Sequence, residues 1–276
     1  MWCETLPYDE LASFTQLLAR YRVDLLLAVR PWQLADAGDV VRRFQSEGVF
    51  VGLWPMIANE DGRWASAASH EKFIAFADKL SGQVPFADEM IIDLEPPLFQ
   101  LERWKAGRPT WRQTPTPRAY RTARDAYVSA VERWRARHRV TTAVMPLVAI
   151  ELRGQWLQRV MGTPASDLPV DRHSVMAYTS LMEGWSRGVI NRGRAEALLL
   201  ATAHLTRIRF GPRAGLSLGT VGTGAFGDEP SYRDPGELAR DVALALRGGV
   251  TELSLFDLGG VVRRPPAEAW FDALCV

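Results

Sequence analysis

Eight short β-rich runs, each followed by a longer amphipathic segment, set the tightest limit on how this chain can fold. The runs are Trp2 to Glu4, Val23 to Val29, Val49 to Trp54, Glu89 to Leu94, Thr141 to Pro146, Ser174 to Tyr178, Gly215 to Gly219 and Thr251 to Phe256. Between and after them, apolar residues recur at three- and four-residue spacing over about residues 8–21, 35–47, 68–82, 117–138, 151–161, 189–207, 234–247 and 265–273, which predicts helices. Asp234-Pro235 and Arg264-Pro265-Pro266 read as helix starts, because proline lacks the N–H that a first helical turn leaves unpaired. Strict alternation without consecutive strands requires parallel pairing. Eight repeats within 276 residues, 47% of them hydrophobic, predict one α/β domain over 1–276: a single (β/α)8 TIM barrel with a large core. A doubly wound open sheet is the alternative.

A barrel carries its chemistry on the loops that follow its strands, and the long loops here all do so: 55–67, 96–116, 179–188 and 220–233. The fourth run, Asp88-Glu89-Met90-Ile91-Ile92-Asp93-Leu94-Glu95, stops at Pro96-Pro97. Residues two apart in a strand share a face, so Asp93 and Glu95 are expected to leave the strand end together. Repulsion and partial desolvation then raise one pKa, which keeps a protonated carboxylic acid available near neutral pH. Trp32, Trp54, Trp64, Trp104, Trp111 and Trp185 fall at or just after strand ends. Flat indoles gathered on one face are platforms for the apolar faces of sugar rings, or else plugs beneath long loops.

A formal charge of +1 removes the electrostatic case for nucleic acid. No run reaches the roughly 18 apolar residues of a membrane span. Cys3 and Cys275 cannot build a disulfide framework or a metal cluster. His70, His138, His173 and His204 lack carboxylates at metal-ligand spacing, so no metal and no cofactor are expected. Met1-Trp2-Cys3-Glu4 is not a basic-then-apolar leader, the pattern of a cytoplasmic chain or of one whose leader is missing.

The fourth-strand acids resemble those of family 18 glycoside hydrolases, the chitinase-like enzymes, which carry Asp-x-x-Asp-x-Asp-x-Glu there. Asp88, Asp93 and Glu95 match three of the four acids, and Ile91 stands at the other. Thr142-Ala143-Val144-Met145-Pro146 is similar to the family's fifth strand. Met176-Ala177-Tyr178 is similar to its Met-x-Tyr-Asp, with Thr179 in place of the aspartate. Leu255-Phe256-Asp257 is a weaker echo of the eighth strand end, with Phe256 where the family has tryptophan. The resemblance implies a glycosidase acting on an oligo- or polysaccharide, with Glu95 protonating the leaving oxygen. In a substrate-assisted, retaining route, Asp93 orients an acetamido group and Tyr178 donates a hydrogen bond to it. Trp54, Trp104, Trp111, Met145, Phe256, Asp257, Arg30 and Glu4 are the expected substrate-binding residues.

Other readings stay open. A two-carboxylate mechanism pairs Glu95 with Asp257, Glu151 or Glu4, each near another strand end. A non-catalytic carbohydrate-binding barrel accommodates the departures at 91, 179 and 256. A barrel lyase or isomerase acting on a phosphorylated metabolite rests on Gly219-Thr220-Val221-Gly222-Thr223-Gly224, whose backbone amides follow the seventh strand. In the 96–116 loop, Phe99, Trp104 and Trp111 interleave with Arg103, Lys105, Arg108 and Arg112, an arrangement expected to wall an elongated cleft.

Overall fold

All eight expected strands form in sequence order: β1 (Trp2–Cys3), β2 (Leu25–Val29), β3 (Val51–Pro55), β4 (Glu89–Leu94), β5 (Arg139–Val144), β6 (Arg172–Met176), β7 (Ala214–Gly219) and β8 (Glu252–Phe256). This computed structural model describes residues 1–108, 114–151, 154–224 and 226–275. Each strand pairs in parallel with the next, from Trp2 opposite Leu26 through Gly219 opposite Phe256. The first and last strands are joined through a side chain, since the Trp2 indole Nε1 donates to Ser254 Oγ on β8 and to Ser217 Oγ on β7, each at 2.9 Å. A single (β/α)8 barrel results.

Alternation along the strands separates two apolar layers. Leu25, Leu27 and Val29, with Val51, Leu53, Met90, Ile92 and Leu94, face outward into the main core beneath the helices. Ala28, Trp54, Ile91, Ala143 and Phe256 point into the barrel with Trp2. Gly52 makes room for Ile91, because a Cβ there would lie 2.6 Å from Ile91 Cδ1. Ile91 thus fills the barrel interior directly beneath Asp93.

Helix starts follow the sequence cues. Thr116 and Asp234 cap helices Pro117–Trp134 and Pro235–Arg247, accepting from Ala119 N at 3.2 Å and Glu237 N at 3.0 Å, with proline first in each helix. The loops after the strands hold more helix than expected: Leu98–Lys105, Leu147–Ile150, Thr179–Trp185 and Leu258–Val262. The fifth strand ends at Val144 rather than at Pro146, because Pro146 has no N–H for the ladder and leads into Leu147–Ile150. At the opposite end of the barrel, Met1 and Cys275 line one shallow depression with the strand starts Asp24, Glu89, Arg172 and Glu252. Both cysteines are free thiols, Cys3 buried and Cys275 exposed.

Candidate active site

Above the C-terminal ends of the strands lies a cavity of about 670 Å³. Asp93, the fifth residue of β4, and Glu95, just beyond it, both enter this cavity, as alternation requires. Prolines 96 and 97 offer no N–H groups, so the adjoining backbone cannot cap Glu95 as it would an acid before a helix. Asp93 is buried, and its Oδ1 has no hydrogen-bond partner. Burial pushes Asp93 up to about 7, against the pull of the Trp54 indole N–H and the Arg63 charge. Trp54 Nε1 completes no hydrogen bond of ordinary geometry, and it too is buried and unpaired. Glu95 is raised well above the usual carboxylate range by burial first, then by the negative charges of Asp93 and Glu229; Arg63 acts in the opposite sense. Burial thus favours a proton held on this acid pair near neutral pH.

Aromatic and thioether groups wall the cavity: Trp2, Trp54, Trp64, Trp104, Trp185, Tyr178, Phe226, Phe256, Met145 and Met176. Trp2 meets Trp54 edge to face with centroids 4.9 Å apart, and Tyr178 stacks on Phe256 at 6.1 Å. Burial raises Tyr178, so its hydroxyl stays a neutral donor; it lies 3.1 Å from Ser217 Oγ. At the mouth, Lys105 Nζ sits 4.8 Å from the Phe226 ring centroid and 5.6 Å from that of Trp185, and it pairs with Asp228. Three loops, after β4, β6 and β7, meet at this lysine.

The expected site residues divide. Glu95, Asp93, Tyr178, Trp54, Trp104, Met145, Phe256 and Glu4 line the cavity. Glu4 does so as a structural anion, its side chain 2% exposed and bound by Arg30 at 3.0 Å and by Arg63. Arg30 is spent on that pair, with Trp32 stacked over its guanidinium, and neither residue lines the cavity. Asp257, expected to bind substrate, is instead a helix cap: it accepts from Gly260 N at 2.9 Å and from Thr5 Oγ1 at 3.2 Å. Glu151 caps too, accepting from Leu157 N at 2.7 Å and Gln158 Nε2 at 2.9 Å. Asp88 lies at the far end of β4 and accepts from Val51 N at 2.8 Å. Thr179 bonds Asp241 and Arg192 in the helical layer. Trp111 and Arg112 lie outside the described residues.

Sequence reasoning missed Glu229, Arg63, Trp2 and Arg187. Glu229 had a usable signal, since Glu229-Pro230 repeats the acid-before-proline pattern of Glu95-Pro96 in another long loop. In the glycine-rich segment, a Cβ on Gly222 would lie 2.9 Å from Asp257 Oδ1, and one on Gly224 would strike the Glu229 carboxylate. Acids packed on those glycines work against a phosphate there. Among the described residues no group of three or more His, Cys, Asp or Glu is placed to hold a metal, and no helix is long and apolar enough to cross a membrane.

No family model matches the sequence, and no curated protein matches it. Solved structures are similar in fold. The PgaB (BpsB) glycoside hydrolase domain from Bordetella bronchiseptica superposes with a TM-score of 0.59 at 12% identity over 99% of this chain and 95% of that one. ZgEngAGH5_4 in complex with a cellotriose gives 0.60 at 11% identity, over 99% and 89%. D-psicose 3-epimerase in the presence of D-fructose gives 0.52 at 11%, over 98% and 92%. Likeness at this identity establishes the shared (β/α)8 barrel.

Proposed function

We propose that the chain is a glycoside hydrolase acting on an oligo- or polysaccharide, with Glu95 as general acid and Asp93 as the carboxylate that stabilises the reacting centre. One observation carries the reading: two desolvated carboxyl groups, both raised by burial, stand together in an aromatic-walled cavity. Support also comes from the fourth-strand acids that resemble family 18, and from neighbours of the same fold that include glycoside hydrolases, one holding cellotriose.

Glycosidic cleavage needs a proton on the departing oxygen and negative charge near the anomeric carbon as it becomes oxocarbenium-like. Glu95 retains its proton at neutral pH because ionisation would place a second or third negative charge in a desolvated site. Asp93, whose ionised form the Trp54 indole N–H and the Arg63 charge favour, supplies the anion. Tyr178 remains a hydrogen-bond donor, and the indoles offer faces for the sugar rings.

The test is a screen of chromogenic glycosides and natural oligosaccharides, read as aglycone release and new reducing ends. Turnover on at least one substrate is expected. Saturable binding without turnover across the panel would instead make this a carbohydrate-binding barrel.

The pH dependence follows from the two acids. Asp93 must lose its proton and Glu95 must keep one, so kcat/KM should rise with pH through a titration near 7 and decline only well above it. A rising limb near pH 4, typical of an unperturbed carboxyl, would contradict the role given to Asp93.

Trp104 is half-buried on the helix after β4 and lines the cavity without anchoring the barrel interior. Trp104→Ala should raise KM for an oligosaccharide about tenfold, the loss of roughly 1.4 kcal/mol of stacking, with thermal unfolding nearly unchanged. Unaltered KM would remove Trp104 from the substrate wall.

A further inference from the structure

We infer that Glu229 is a further carboxylate of the reaction, acting on the anomeric carbon as nucleophile or base while Asp93 stabilises the centre, and independently of any acetamido group on the substrate. The inference rests on the glycosidase reading above and fixes its mechanism. Its basis is placement. Among the acids near the strand ends, Asp257 and Glu151 do not line the cavity, and Glu4, which does, is not among the charges that act on Glu95. Glu229 lines the same cavity as Asp93 and Glu95, and it reaches there from a different strand end, on the loop that follows β7.

The loop is folded to present it. Glu229 N donates to Thr223 O at 3.0 Å, Tyr232 N donates to Thr220 O at 2.9 Å, and Thr220 Oγ1 donates to Pro230 O at 2.8 Å. The carboxylate rests against Gly224, whose φ of +62° and missing side chain leave the space it occupies, and it accepts from Phe226 N at 3.4 Å. Its charge reaches Glu95, Tyr178 and Arg63. Ile91 bears on the same point: the acid that would share a proton with Asp93 in family 18 is replaced by a packed hydrocarbon side chain. A substrate-assisted mechanism therefore lacks one of its supports here, while Glu229 has entered the cavity on the loop after β7.

The glycosidic C–O bond breaks as Glu95 gives its proton to the departing oxygen. Glu229 either bonds to the anomeric carbon itself, to be displaced by water whose proton returns to Glu95, or takes a proton from the water that bonds there. Retention of configuration in the product identifies the first course and inversion the second.

The experiment compares wild type, Glu229→Gln, Glu229→Ala, Gly224→Ala and Glu95→Gln on paired 2-hydroxy and 2-acetamido glycosides, with folding followed by thermal unfolding. Both glycosides should be cleaved by wild type. Glu229→Gln and Glu229→Ala should lose about 10²–10⁴-fold in kcat, and sodium azide or formate should restore turnover to Glu229→Ala but not to Glu95→Gln. Gly224→Ala, which displaces the carboxylate without removing it, should fall between. Full activity of Glu229→Ala, or cleavage confined to 2-acetamido glycosides, would overturn the inference while leaving the glycosidase intact. Absence of turnover by wild type on every glycoside would instead remove the reading beneath it.

Discussion

Glu95→Gln is expected to bind oligosaccharide as wild type does while kcat falls about 10²–10⁴-fold, the usual worth of a positioned general acid. Gln keeps the shape of the side chain and removes only the transferable proton. The loss should be smaller for substrates with strongly acidic leaving groups, whose oxygen departs without protonation. Stability gives an independent reading. The folded-state pKa of Glu95 is raised, so its stabilising contribution is complete below the unfolded value near 4 and is lost as pH rises towards the folded value. At pH 8 the uncharged Gln escapes that penalty, and Glu95→Gln should unfold at the same temperature as wild type or higher. Turnover that survives the change, measured as product per enzyme over hours, would reject Glu95 as the acid.

Glu4→Ala should produce the largest loss of stability. Its carboxylate neutralises Arg30 and Arg63, whose side chains are 17% and 7% exposed, and Asn59 Oδ1 accepts a further bond from Arg63 at 3.0 Å. Removing one member of a buried ion cluster strands the others, at a cost of about 3–5 kcal/mol, or on the order of 10 °C in a chain of this size. Glu4→Ala combined with Arg63→Met should be less destabilised than the sum of the single changes, because the second substitution removes a charge that the first left unpaired. Additive effects in a double-mutant cycle would show that the pair is not energetically coupled.

The barrel was legible because alternation is a local property: each of eight strands shows its apolar run, and each helix its spacing. The shared direction of Asp93 and Glu95 follows from the same geometry. The acids at other strand ends were misread for a physical reason. Asp257 and Glu151 precede helices whose first N–H groups need acceptors, and those groups capture the carboxylates. Glu95 precedes two prolines and meets no such donors. Glu229 lies ten residues past the end of β7, beyond the reach of any periodicity. Its position depends on hydrogen bonds that fold its loop back, and spacing along the chain does not encode them. Arg63 was hidden similarly, since its left-handed backbone, φ +69°, turns a loop arginine inward to the acids.

Met1 and Cys275 share the depression at the foot of the strands, with the whole barrel between them and the acids. A label coupled at Cys275, whose thiol is exposed, would therefore sit at the far end of the barrel and leave the mouth of the acid-lined cavity clear.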